Sequence, residues 1–380
     1  YADGAPTEET FESVHNAGVY YVEAVAGEAS AHFLFTVNKA ENALVTEFAR
    51  EGWTYGEEPA AVTEPVAADG SAAVAYYTAY TSASDNTPYV GEFDALTPVG
   101  TYYAVVTVAE SENYLAFEKV YTFAVAKAQN SWTGEFAAGW TYGESPVITL
   151  PTAAFGEVEV QYYISYGGDT DVPFDGEFSA TTDAGTYYAV ITVEGTGNYD
   201  GLNAVKEFTV QKASLNASVS IFGWVYGEKP SEPVVEGNVG GGEVTFTYGV
   251  QSTQGNTGTL VDGRPASVGY YNVSAHIEES TNYKASSVHY DFSVTAREVV
   301  IVTGGTEGLV FKGSAFTVTA SADELLEEDD VSIVYTLADG KQSILAADTY
   351  TLNFELTGED AFNYVIAEGT ESTQVTVAKA

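Results

Sequence analysis

The stretch DAGTYYAVITV, residues 183–193, decides the fold, because the chain spells it five times. Recognisable copies are NAGVYYVEAVA (16–26), PVGTYYAVVTV (98–108), SVGYYNVSAHI (267–277) and AADTYTLNFEL (346–356). Recurrence of one strand at a fixed period marks a tandem array, and periodicity governs how every other feature is read. Within the copy at Asp183, residues Tyr187, Ala189, Ile191 and Val193 share one face, and Thr186, Tyr188, Val190 and Thr192 the other. A period of two is the mark of a β-strand. The first face stays apolar in the other copies (Tyr102, Ala104, Val106, Val108; Tyr271, Val273, Ala275, Ile277; Tyr350, Leu352, Phe354, Leu356). The second face drifts, from Tyr103 and Val105 to Asn272 and Ser274. The conserved-apolar face is expected to be buried, and Tyr20, Tyr102, Tyr187, Tyr271 and Tyr350 to point into separate small cores.

The lead-in to the strand, Asp183-Ala184-Gly185-Thr186-Tyr187-Tyr188-Ala189, resembles the D-x-G/A-x-Y-x-C run of strand F in immunoglobulin domains. There the first Tyr forms a corner that hydrogen-bonds back to the chain, and a disulfide cysteine follows two residues later. Ala189 and Ala104 stand where that cysteine would be, so apolar packing must replace the disulfide.

The chain divides at this period. Residues 1–42 read as the second half of a repeat, with Phe11 matching Phe178 and a closing strand through Phe33, Phe35 and Val37. Repeats follow at 43–128, 129–213, 214–297 and, more divergent, 298–380. Each of the middle three carries a Trp-x-Tyr-Gly-Glu-x-Pro turn, at Trp53, Trp140 and Trp224, 87 and 84 residues apart. In the last repeat this turn has become Leu309, Val310, Phe311, Lys312 and Gly313. Lys127-Ala128 and Lys212-Ala213 lead straight into the next unit. Linkers this short restrict hinging, so a stiff rod is expected, about 35 Å per module and on the order of 140 Å for four. The opening strands of the first repeat are missing, which leaves either a fragment boundary or completion by another chain. A β-grasp module is disfavoured because no amphipathic helix of suitable length appears; residues 322–330 read as a helical turn or an acidic loop.

The Trp-x-Tyr-Gly turn, the Gly-Thr-Tyr-Tyr strand, the Asn-Tyr pairs (Asn113-Tyr114, Asn198-Tyr199, Asn282-Tyr283, Asn363-Tyr364) and the Lys-Ala boundaries resemble the MBG-type, or YGX, class of Ig-like repeats. The resemblance covers nearly the whole chain and is partial in residues 1–42. It implies an all-β tandem array of Ig-like sandwiches from an extracellular or cell-surface bacterial protein, adhesin-like in setting, and it brings no catalytic residue with it.

Composition agrees with an exposed polymer. Net charge is −41, from 54 acidic and 13 basic residues. That excludes a nucleic-acid partner, which needs a basic footprint, and disfavours an anionic membrane surface. Cysteine and methionine are both absent, so Tyr1 is read as a processing or fragment boundary. No apolar run is long enough to span a membrane.

Candidate sites are few. Trp53, Tyr55, Trp140, Tyr142, Trp224 and Tyr226 could stack on a sugar ring, yet a structural turn with the tryptophan on the core or at the joint is the preferred reading, because a feature repeated at module spacing serves each module. The Asn-Tyr pairs read as hairpin residues whose tyrosine folds back over its own sandwich end. Asp169, Asp171 and Asp175, and the acidic run 327–330, are oxygen-rich clusters of the kind calcium takes, without EF-hand spacing. A Lys–Asn isopeptide crosslink would need a buried lysine, whereas the repeated lysines fall at module ends. Four scattered histidines form no recurring set, and no catalytic constellation or cofactor motif is recognised, so an enzyme is not expected. The expected function is a structural stalk or fibre segment. The alternatives are modules that bind a host or matrix glycan or protein, and a filament subunit that associates with its own kind.

Overall fold

A computed structural model describes residues 13–253 and 255–380 of the chain. Phe11 lies outside the described residues. The fold is all-β, a tandem array of Ig-like sandwiches, and among the described residues the only helical turn is a 3-10 segment at Ala361–Asn363. The chain divides into two compact units, with the division running through the third repeat.

The second repeat shows why these residues make a sandwich. Its larger sheet has the order Trp53–Thr54, Phe117–Ala126, Gly100–Val108, Ala72–Ser82, Asp85–Pro88. The opposing layer is two short antiparallel pairings, Leu44–Thr46 with Val66–Ala67 and Ala49–Arg50 with Val62–Thr63. The first strand therefore begins in one layer and, at Trp53, crosses to pair parallel with Val125 in the other. The crossing needs glycine: a Cβ on Gly52 would sit 2.3 Å from the Ala124 carbonyl oxygen. Gly223 in the fourth repeat faces Ser293 in the same way, at 2.4 Å.

Alternation in the repeated strand is realised as expected. Tyr102, Ala104, Val106 and Val108 are buried, as are Tyr187, Ala189, Ile191 and Val193, and Tyr271, Val273, Ala275 and Ile277. In the fifth copy Tyr350, Leu352 and Phe354 are buried. One outward residue departs from the pattern: Val105 is 3% exposed, between Ala75 and Val120 on the flanking strands. The tyrosine corner is present wherever its bond is described. The phenol of Tyr102 donates to the Pro98 carbonyl at 2.8 Å, Tyr20 to Asn16 at 2.8 Å, Tyr271 to Ser267 at 2.7 Å and Tyr350 to Ala346 at 3.0 Å.

The third repeat keeps the sheet order of the second, and the fourth and fifth carry four-stranded versions of it. The first repeat differs. Among the described residues it is a single hairpin, Gly18–Ala26 with Ala29–Val37, in which Tyr20 is only half-buried. A two-stranded sheet has one layer and no second face to pack against, so the expectation of a closed core around Tyr20 fails there.

Candidate functional site: the joint between repeats

The Trp-x-Tyr-Gly-Glu turn resolves into parts with distinct tasks. Trp53 and Trp140 are buried, 7% and 6% exposed, and add to their own cores; neither offers a ring face to solvent. Trp224 is half-buried. Glycine supplies the turn: Gly56, Gly143 and Gly227 have φ of 90°, 92° and 77°, and the following N–H returns to the residue before the tyrosine at 2.9 Å each time. This is a type II turn, whose third residue must take a positive φ. The glutamate then folds back, Glu57 and Glu144 each accepting from the N–H of Thr54 and Thr141 at 3.2 Å.

The tyrosine of the turn points to the next repeat. Tyr55 meets Tyr199 edge-on at 5.6 Å, Tyr142 meets Tyr283 at 5.5 Å and Tyr226 meets Tyr364 at 5.7 Å. Edge-to-face pairs at this separation add about 0.5–1.5 kcal/mol beyond area burial. The Asn-Tyr tyrosine was expected to close its own sandwich; Tyr199 does so, stacked on Phe155 at 3.5 Å, and Tyr199, Tyr283 and Tyr364 also pack across the boundary, because the linker brings the preceding turn against them.

The asparagine beside it completes the contact. Asn113 Oδ1 accepts the Ala17 N–H at 2.7 Å, Asn198 that of Val99 at 3.3 Å, Asn282 that of Ala184 at 2.7 Å and Asn363 that of Val268 at 2.9 Å. Each donor N–H lies three residues before the corner tyrosine of the preceding repeat. At the third joint Asn282 Nδ2 also donates to Asp183 Oδ1 at 2.9 Å, which fixes the amide's orientation, since a carboxylate only accepts.

Linker residues are held by the same hairpin. Ala40, Ala128 and Ala213 bridge in parallel to Tyr114, Tyr199 and Tyr283, with backbone bonds of 2.8–2.9 Å on both sides of each alanine. In the fourth joint this becomes a short strand, Arg297–Val299 beside Tyr364–Ile366. Basic linker side chains meet acids of the next repeat: Lys39 pairs with Glu110, Lys212 with Glu279 at 3.2 Å, and Arg297 with Glu324 at 3.6 Å.

The fourth joint holds a residue that sequence reading did not single out for this task. Residues 323–330 form a loop, with Glu324 at φ 67°, rather than a helical turn. From it Asp329 accepts from the Tyr226 phenol at 3.0 Å and from the Tyr364 phenol. Burial, reinforced by the bond to Asp329, pushes the Tyr364 phenol up to about 12 and raises Tyr226 as well. The only hint in the sequence was that the acidic run occurs in one repeat alone.

The remaining candidates do not converge. Asp171 Oδ1 accepts the Gly167 N–H at 2.8 Å and so closes its own turn. Among the described residues no three acidic or histidine side chains, Asp169, Asp171 and Asp175 included, gather as a cation would require. No helix among the described residues is long and apolar enough to cross a membrane.

No protein-family model matches the chain. No curated protein matches it either. Among solved structures it is similar to Sidekick-1 immunoglobulin domains 1–5, at 12% identity over 96% of this chain and 86% of that one, TM-score 0.23. It is also similar to Drosophila N-cadherin EC1-4, at 10% identity over 81% and 92%, TM-score 0.20. A third is a SusE-like surface-located polysaccharide-binding protein from the Bacteroides thetaiotaomicron heparin utilisation locus, at 9% identity over 100% and 93%, TM-score 0.16. The fold of this chain is established by its own strand pairing.

Proposed function

We propose that the chain is a structural, non-catalytic repeat segment, a stalk or fibre portion of a bacterial surface or secreted protein that spaces or assembles adhesive machinery. The observation that carries this is the joint. One contact, an asparagine amide oxygen accepting the backbone N–H three residues upstream of the preceding repeat's corner tyrosine, recurs at all four boundaries. A protein selected for chemistry at one place has no use for the same contact four times; a protein that holds successive modules in order does. The resemblance to MBG-type repeats supports the same reading, as does a charge of −41, which keeps an exposed polymer apart from its neighbours.

Single-molecule stretching tests it. A load-bearing array gives several separate unfolding events, each releasing about 85 residues or ~300 Å of chain. One cooperative event for the whole chain would rule the reading out.

A further inference from the structure

The repeats are not alike in how their cores close beside the central strand. In the second repeat Phe93 plugs the core, its ring 5.0–5.9 Å from those of Trp53, Tyr76, Tyr102 and Phe123. In the third, Phe178 stands edge-on to Trp140 at 5.4 Å. The fourth repeat has no phenylalanine between its central strand, Val244–Val250, and Tyr271. Leu260 packs there instead, a smaller side chain without a ring. Trp224 is half-buried where Trp53 and Trp140 are buried.

Beside Tyr248 lies a cleft of about 550 Å³ lined by Phe246, Tyr248, Glu232, Asp262 and Arg264. A recess sharing Glu232, Tyr248 and Arg264 with it extends to Trp224. This volume falls within the ~300–1,000 Å³ of small-ligand sites. Asp262 and Gly263, at φ 51° and 74°, make the tight turn of a hairpin, Leu260–Val261 with Arg264–Pro265, that holds Arg264 at the cleft. Positive φ at both central residues is the type I′ turn that matches strand twist, so the hairpin is a firm support.

Two polar groups in this cleft lack partners. In a chain with 54 acidic residues, the exposed guanidinium of Arg264 makes no ion pair or hydrogen bond among the described residues, and neither does the Tyr248 phenol. The lining then dictates the ligand. Aromatic side chains, Trp224 and Tyr248, present apolar surface. Glu232 and Asp262 can only accept hydrogen bonds, and Arg264 can only donate. An anion would meet two carboxylates, and a cation would meet the guanidinium. A hydroxyl both donates and accepts, and satisfies both sets without net charge.

We propose that the fourth repeat binds neutral sugar residues of a glycan in this cleft, with Phe246 and Tyr248 against the ring, Trp224 at the adjoining recess, and Glu232, Asp262 and Arg264 engaging hydroxyls. The site is independent of the stalk reading, because none of its polar lining residues takes part in the joint contacts described above. Mannohexaose, cellohexaose and maltohexaose serve as neutral probes and hexagalacturonate as the acidic one, titrated calorimetrically into the full chain. At least one neutral hexaose is expected to bind and to protect tryptophan fluorescence from iodide quenching. Arg264→Ala and Glu232→Gln, both at exposed positions, should each weaken binding by about tenfold, or ~1.4 kcal/mol, with thermal unfolding unchanged. Trp224→Phe should retain part of the affinity and lose the protection. The proposal is overturned if no neutral hexaose binds at millimolar concentration, if only hexagalacturonate binds, or if both polar substitutions leave affinity unaltered.

Discussion

Asn282 shows how much one side chain can carry at a boundary. Its amide accepts from the Ala184 N–H and donates to Asp183, so it ties the fourth repeat to the corner of the third. Asn282→Ala leaves the half-buried Ala184 N–H without its acceptor. Unmade bonds of this sort cost about 1–3 kcal/mol. Amide hydrogen exchange at Ala184 should accelerate correspondingly, while the buried strand amides of Ala189 and Ile191 keep their protection. Unchanged exchange at Ala184 would mean that the asparagine only follows the linker. Tyr226 and Tyr364 make a second case, through protons. Their phenols are raised above the ordinary value of 10 by burial and by donation to Asp329. A raised folded-state value means that the folded protein holds these protons more tightly than the unfolded chain does. The stabilisation is then complete below about pH 10 and is lost as pH climbs through about 12. Denaturant midpoints measured across that window should fall more steeply for the native protein than for Asp329→Asn, in which the bond to the carboxylate is gone.

At the scale of elements, two glycines of one motif have different physical grounds, and substitution should separate them. Gly52 is required by space, since a Cβ there would lie 2.3 Å from the Ala124 oxygen. Gly56 is required by backbone conformation alone, with φ of 90° and nothing within 4 Å of a Cβ. Gly52→Ala should cost about 1–3 kcal/mol and displace the strand at Trp53 from its parallel partner. Gly56→Ala should cost about 1 kcal/mol and keep the pairing, as a strained turn does. Backbone chemical shifts at Trp53 and Val125 distinguish the outcomes. Phe93→Ala, which removes the aromatic plug, should cost about 3–5 kcal/mol in thermal denaturation of the second repeat. These elements also show what the sequence could disclose. Alternation in the repeated strand and the corner tyrosine were legible, because burial of one face and the need to bond a phenol are written into residue types at spacing two and four. The partner of each Asn-Tyr pair was not legible. It lies about 95–100 residues away across a boundary, and no local rule of spacing reaches that far. The role of Phe93 was not legible either, since nothing in Gly91-Glu92-Phe93 reveals which rings it will fill the space between.

Across the whole molecule the dominant quantity is charge. The 54 acidic side chains outnumber the 13 basic ones, several of which are committed to joints, and leave a surplus of 41 negative charges. Exposed carboxylates then repel one another in the folded state more than in the expanded chain, where they lie further apart. At 0.01 M ionic strength this repulsion acts over about 30 Å, roughly a module's length, and at 0.1 M over only ~10 Å. Raising sodium chloride across that range should therefore raise the melting temperature by several degrees, approaching a plateau as the screening length falls below the spacing of neighbouring carboxylates. Calcium separates screening from site binding. Asp171 is already engaged with the Gly167 N–H, and no three ligating side chains converge among the described residues. Calcium chloride and sodium chloride at matched ionic strength should then move the melting temperature to nearly the same value. A further calcium-specific rise that Asp171→Asn abolishes would show instead that the loop at 167–171 closes around a cation, and that fixed charge in this chain is neutralised at particular places rather than along its length.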